Sequence, residues 1–177
     1  MKFLLFVVAV LIIAAGAIWS GIYNISALDP HWEPTMQLIG LVRDRSIAAH
    51  SDDAKLPPLD DPKLLTNGAA EYRHMCRVCH GAPGASPDVL AQGLYPAPAD
   101  LLSGYIQKKW NDNQLYWIIE NGIKMTGMPA FSITHEREEL VGLVAFLKRL
   151  PGMTPEEYRS VAGKSGEGDD HGEDHEH

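Results

Sequence analysis

Cysteine is almost absent from this chain, with two in 177 residues. They stand three positions apart, at Cys76 and Cys79, where a bridge would close a very small loop and gain little from the unfolded state. Cysteines this close usually serve a redox motif, a metal or haem. Positive charge is also scarce: 15 Lys and Arg face 23 Asp and Glu, for a net charge of −8. That balance argues against nucleic acid or an anionic lipid surface as the main partner. Five of the eight charges belong to the stretch from Lys164 onward, which has six acids and one lysine, so the body is only mildly acidic. No strand-type alternation and no internal repeat stands out. There is no nucleophile–base set, no phosphate loop and no second metal cage, so the chain is not expected to be an enzyme.

A third absence is local. No charge occurs from Phe3 to Ile22, and about 20 apolar residues suffice to span a bilayer as a helix. Lys2 precedes the run, while Arg43, Arg45 and Lys55 lie too far on to flank it. Trp19 and Tyr23 sit near its far end, where amphipathic rings favour the membrane–water interface. The competing reading is a cleaved export signal, with Phe3 to Ala14 as its apolar core and Ala15-Gly16-Ala17 as the cleavage site. The apolar run continues past that site, which favours a retained anchor over residues 1–28. Either way the chain that follows is exported.

Residues 29–62 form a second section. Leu38, Leu41, Val42, Arg45 and Ala49 recur at three- and four-residue spacing, with Ile39 and Ile47 alongside. This predicts an amphipathic helix from about Thr35 to His50, which either docks on a membrane partner or lies against the following domain. Ser51 to Pro62, with Pro57-Pro58 and four aspartates, reads as a semi-rigid linker. Residues 63–160 carry three helical signatures. The first is capped by Thr66 or Asn67 and runs through Tyr72 to Cys79. The second is capped by Asp112 and stopped by Gly122. The third is capped by Thr134 and ended by Pro151-Gly152. Between the first two lies a long Pro-, Ala- and Gly-rich stretch. An all-α domain this small, with loops this long, is best explained by a cofactor at its centre. Residues 161–177 read as a disordered, acidic tail. Its His171, His175 and His177 could hold Cu²⁺, Ni²⁺ or Zn²⁺ loosely.

Cys76-Arg77-Val78-Cys79-His80 is the attachment pattern of c-type haem. On a helical turn the two thiols face one way, and each can add to a haem vinyl group. His80 follows directly and presents a ring nitrogen to the iron. A thioredoxin-like pair would need a βαβ context, and none is present. Zinc would need two further ligands, with His74 and His135 the only folded candidates. His80 should donate its other ring proton to a carbonyl, expected from the Pro83 to Pro87 stretch. For the second axial position, Met128 stands in Gly127-Met128-Pro129-Ala130-Phe131, where Pro129 restricts it to extended conformations. Filling a core gap is the plainer role for such a methionine. Met125 is the nearest rival as ligand.

Gly68 and Tyr72 ahead of Cys76-x-x-Cys79-His80-Gly81, then Gly127-Met128-Pro129, then a helix bearing Phe146, resemble a class I cytochrome c over roughly Asp60 to Tyr158. The resemblance implies an all-α fold of three main helices around one covalent haem, with the first and last helices crossing near Gly68, Tyr72 and Phe146. It also implies Met128 as the distal iron ligand beside His80. The whole chain is similar to membrane-anchored monohaem cytochromes of proteobacteria, through Gly21-Ile22-Tyr23-Asn24, Pro30-His31-Trp32 and Arg45-Ser46-Ile47. The loop Tyr95 to Leu101 looks like the one that covers the haem edge in such proteins. Trp110 and Trp117 either line the haem or fill the core.

The expected role is therefore a one-electron carrier with a single haem c, thioether-linked through Cys76 and Cys79 and ligated by His80 and Met128. It is tethered to the cytoplasmic membrane by one helix, with the haem domain in the periplasm. Its partners are redox proteins, a respiratory or dehydrogenase complex among them, and not nucleic acid. The alternative is a haem enzyme or gas sensor with an open distal iron position.

Overall fold

The computed structural model describes residues 1–163, so the His-bearing stretch 164–177 lies outside the described residues. Two compact units are present, Met1–His31 and Trp32 onward. In the first, helix α1 spans Lys2–Trp19. Eighteen residues at about 1.5 Å each give about 27 Å, near the thickness of a bilayer's hydrocarbon core. By length and composition α1 can cross a membrane, and a signal sequence passes the same test. Beyond it, the Tyr23 hydroxyl and the His31 ring meet at 2.6 Å with their rings stacked, and the Ser26 N–H donates to the Asn24 side chain.

In the second unit α2 spans Glu33–His50, with Pro34 in its first turn. The stripe at Leu38, Leu41 and Val42, which suggested the packing face, is exposed. The face set against the domain carries Met36, Arg43, Ile47 and His50 instead, with Ile47 buried and Arg43 and His50 at its exposed margins. The Tyr95 hydroxyl donates to Met36 Sδ at 3.3 Å, Ile47 is 1% exposed, and the His50 ring lies 6.1 Å from that of Trp117. The helix has apolar residues on both sides, so only packing decides which is covered. Residues 51–62 do not hang free as a spacer, because Ala54, Leu56 and Leu59 pack against the core.

Helix α3 spans Pro62–Glu71 and is capped by Asp61, five residues before Thr66 and six before Asn67, the expected caps. Asp61 accepts the Lys63 N–H at 2.8 Å, and Pro62 at the first helical position needs no donor of its own. The helix continues through a π-helical stretch, Tyr72–Cys76, into the short α4, Arg77–His80. Two short helices follow, α5 (Val89–Gln92) and α6 (Tyr105–Lys109). Helix α7 spans Asp112–Asn121 and is capped by Asn111, one residue before the expected Asp112. Asn111 and Gln114 bond each other's backbone N–H reciprocally at 2.9 and 3.0 Å, satisfying two donors at once. Helix α8 spans Arg137–Arg149. Glu136 caps it with Glu139 rather than Thr134, whose hydroxyl is taken by Phe131 and His135. A final helix, α9, spans Pro155–Gly163. Residues 161–163, assigned above to the tail, are thus helical, and Ala162 is buried.

Helices α3 and α8 cross where glycine faces glycine. A Cβ at Gly68 would stand 1.9 Å from the Gly142 carbonyl oxygen, so the two backbones touch with no side chain between them. One turn on, Tyr72 and Phe146 are fully buried with ring centroids 5.2 Å apart. Tyr158 of α9 closes the cluster, 6.4 and 6.2 Å from those two rings. Among the described residues there is no β-strand, only an isolated bridge between Ala82 and Ala85. The fold is all-α.

The Tyr72 hydroxyl donates to the Gly81 carbonyl at 2.7 Å in the buried interior. That bond ties α3 to the turn after His80. Tyr72→Phe leaves the carbonyl without its partner and should cost about 1–3 kcal/mol, read as a lower midpoint in thermal unfolding. An unchanged midpoint would mean that the bond contributes nothing net.

Candidate functional site

The π-helical stretch positions the motif. At Arg77 the backbone N–H reaches back five residues to the Tyr72 carbonyl, widening the turn just before Cys76-x-x-Cys79-His80. Single π turns inside α-helices often occur at functional sites. Gly81 ends the helix at φ 71°. A Cβ there would lie 2.9 Å from the Ala85 carbonyl oxygen, so the chain turns sharply away and leaves His80 at the helix end.

Cys76, Cys79 and His80 line one cavity of about 600 Å³, and Met128 lines the same cavity, whose size is that of a cofactor or ligand pocket. Its walls are mostly apolar, with Leu115, Ile119 and Ile123 from the α7 side and Leu143 and Leu147 from α8. Trp110 also faces it, whereas Trp117 is outside, against His50. No aspartate or glutamate is among the lining residues.

The loop carrying Met128 is held by its own hydrogen bonds. The Met128 N–H donates to Thr126 Oγ1 at 3.1 Å, and the Met128 carbonyl accepts from the Ile123 N–H at 3.1 Å. Gly122, at φ 66°, lets Met128 to Ala130 pass so close that a Cβ would meet them at 2.6–2.7 Å. Met125, the rival ligand, is 92% exposed and absent from the cavity lining.

His80 Nδ1 lies 2.8 Å from the Ala99 carbonyl. A carbonyl only accepts, so Nδ1 carries the proton and Nε2 keeps its lone pair. The partner was expected between Pro83 and Pro87. Those residues are folded on themselves: Ala82 and Ala85 exchange both backbone bonds at 2.8 Å. The carbonyl therefore comes from the loop Tyr95 to Leu101, 19 residues away. Burial lowers the His80 pKa, against the opposing pull of the Ala99 bond, so the ring is held neutral. Cys76 is pushed up to about 12, chiefly by burial and then by Glu71 and Cys79. It is a thiol rather than a thiolate.

The zinc reading finds no partners. His74 lies beside the Arg73 guanidinium, and His135 pairs with Glu71 at 3.8 Å. Among the described residues no group of three or more His, Cys, Asp or Glu could hold a metal ion.

Residues 63–147 match the family described as cytochrome C oxidase, cbb3-type, subunit III. They run from the start of α3 nearly to the end of α8. Residues 63–147 form a class I c-type cytochrome domain. Such a domain carries covalently bound haem and serves haem-based electron transfer. No curated protein and no solved structure matches the chain.

The cavity of the cytochrome domain suits that group on its own terms. Two thiols on one helical turn, a neutral imidazole with a free Nε2 and a thioether on the same apolar cavity are the donors a covalent haem needs. Sequence reasoning missed two contributors. The Ala99 carbonyl gives no signal in side-chain chemistry. Arg43 and Ile47 of α2 also line the cavity, and their four-residue spacing was the available hint.

Proposed function

We propose that this chain is a one-electron carrier holding a single haem, joined through Cys76 and Cys79 and ligated at iron by His80 and Met128. The observation that carries the reading is the meeting of these four side chains at one cavity with no acidic lining residue. Bound haem supplies the Fe(III)/Fe(II) couple. The chain's own residues keep that couple fast by moving little. His80 is oriented by Ala99, and the Met128 loop is fixed from both sides by Thr126 and Ile123. A soft thioether favours the reduced iron and raises the potential. The apolar walls exclude water, which keeps solvent reorganisation low.

Helix α1 serves as a tether in the cytoplasmic membrane, with the cytochrome domain on the periplasmic side, where covalent haem is attached. The donor and acceptor are membrane redox proteins of a respiratory or dehydrogenase chain. The description of the matched family, a subunit of a cytochrome oxidase, supports that setting. An enzyme or gas sensor with an open iron is disfavoured by the fixed Met128 loop.

The full chain, expressed with export and haem maturation and purified in detergent, is expected to gain the mass of one haem. Its ferric spectrum should show the weak far-red band of sulfur ligation. A bare polypeptide mass would remove the cofactor assignment, and a high-spin spectrum with rapid CO binding would favour the open-iron alternative.

A further inference from the structure

Helix α2 lies outside the matched segment, yet it borders the cavity. It is held against the cytochrome domain at three points along one face. Met36 meets Tyr95, Asp44 meets Lys109 at 2.8 Å, and His50 packs on Trp117. Between them Ile47 is fully buried and Arg43 reaches the cavity.

Charge gives this arrangement a chemical meaning. Apart from His80, held neutral, the cavity is lined by two cationic side chains, Arg43 and Lys109. They are joined through one carboxylate: Asp44 bonds Arg43 at 2.7 Å and Lys109 at 2.8 Å. Burial alone would raise the Asp44 pKa, but its bonds to Lys109 and Arg43 hold it below the usual range. Asp44 is therefore ionised, and the trio carries one net positive charge at the lip of an otherwise apolar site. Lys109 is further held over the Trp110 ring at 4.7 Å. Haem is an apolar disc with two carboxylates on one edge. An apolar cavity with one cationic lip matches it in both respects.

We propose that α2 completes the haem site of this cytochrome: Ile47 closes its wall, and Arg43, together with Lys109, forms the lip that receives the haem carboxylates. This rests on the haem reading above. It makes the segment between anchor and domain part of the redox centre, so that the sequence around Arg43 tunes the potential. Arg43 is a positioning residue, and its side chain is about 40% exposed, which tempers its field through solvent screening.

The test is a spectroscopic redox titration of the full-length holoprotein in detergent. Arg43→Gln removes a positive charge from the cavity that would hold the haem and so favours the ferric form. The Fe(III)/Fe(II) balance should move threefold to tenfold toward ferric, the upper figure being about 59 mV for one electron. Arg43→Lys should restore most of the wild-type value. Asp44→Asn should shift the balance the opposite way, which guards against a variant that fails to fold. Arg45→Gln removes the same charge from the same helix, away from the cavity lining, and should change the balance less than twofold. Equal shifts for Arg43→Gln and Arg45→Gln, or none for Arg43→Gln and Asp44→Asn, would overturn the proposal. If wild type carries no haem, the failure is that of the function assigned above. If it carries haem and the potential ignores Arg43 and Asp44, the failure is that of α2 alone.

Discussion

Alanine at Gly68 is expected to prevent the cytochrome domain from folding, or to lower its stability by about 3 kcal/mol or more. The added Cβ would stand 1.9 Å from the Gly142 oxygen and 2.3 Å from its carbonyl carbon. Both obstacles are backbone, so no rotamer change relieves them. The helices must move apart, and that loosens the Tyr72–Phe146–Tyr158 cluster just beyond the crossing. Overpacking a core commonly costs about 1–3 kcal/mol and occasionally more, against a total stability of about 5–15 kcal/mol for a domain. Two further glycines calibrate the effect. At Gly142 a Cβ meets the Leu64 oxygen at 3.1 Å and Gly68 N at 3.2 Å, so Gly142→Ala should cost less. At Gly40, on α2, a Cβ meets only Arg43 at 3.9 Å. There alanine should gain up to about 1 kcal/mol from helix propensity. Thermal unfolding of the three variants checks the order, and a Gly68→Ala protein as stable as Gly142→Ala would refute the close crossing.

Alanine at Met128 is expected to abolish the far-red sulfur band and lower the reduction potential. In the proposed site the thioether is the soft ligand that favours Fe(II) over Fe(III), so its loss should move the equilibrium at least tenfold toward ferric, about 59 mV for one electron. The vacated position should also let reduced protein bind CO. Met125→Ala is the control. That side chain is 92% exposed and away from the cavity, so the band and potential should stay as in wild type. The reverse pattern would transfer the ligand role to Met125, which sits at φ 61° in the turn before Thr126.

These two expectations draw on different levels of the molecule. The haem-attachment pattern and the Met128-Pro129 pair are local chemistry, legible because each needs particular residue types at fixed spacing. The expected helix starts were displaced by one to six residues, and for a common reason. Several residues in each stretch could cap, and the winner was the one whose neighbours completed the bond: Asp61 with Pro62, Asn111 with Gln114, Glu136 with Glu139. Such choices turn on competition among nearby donors, which residue type alone does not rank.

From the chain of residues alone came the apolar run of α1, the helical class of the domain and the Cys76-Arg77-Val78-Cys79-His80 turn. All follow from covalent order and short-range periodicity. Tertiary packing alone decided that α2 sets Met36, Arg43, Ile47 and His50 against the domain rather than Leu38, Leu41 and Val42. It also decided that His80 is oriented by Ala99 and not by the adjacent turn. A helix with two apolar sides has no preferred face until a partner covers one, and a backbone carbonyl looks the same in every residue until the fold brings one within reach.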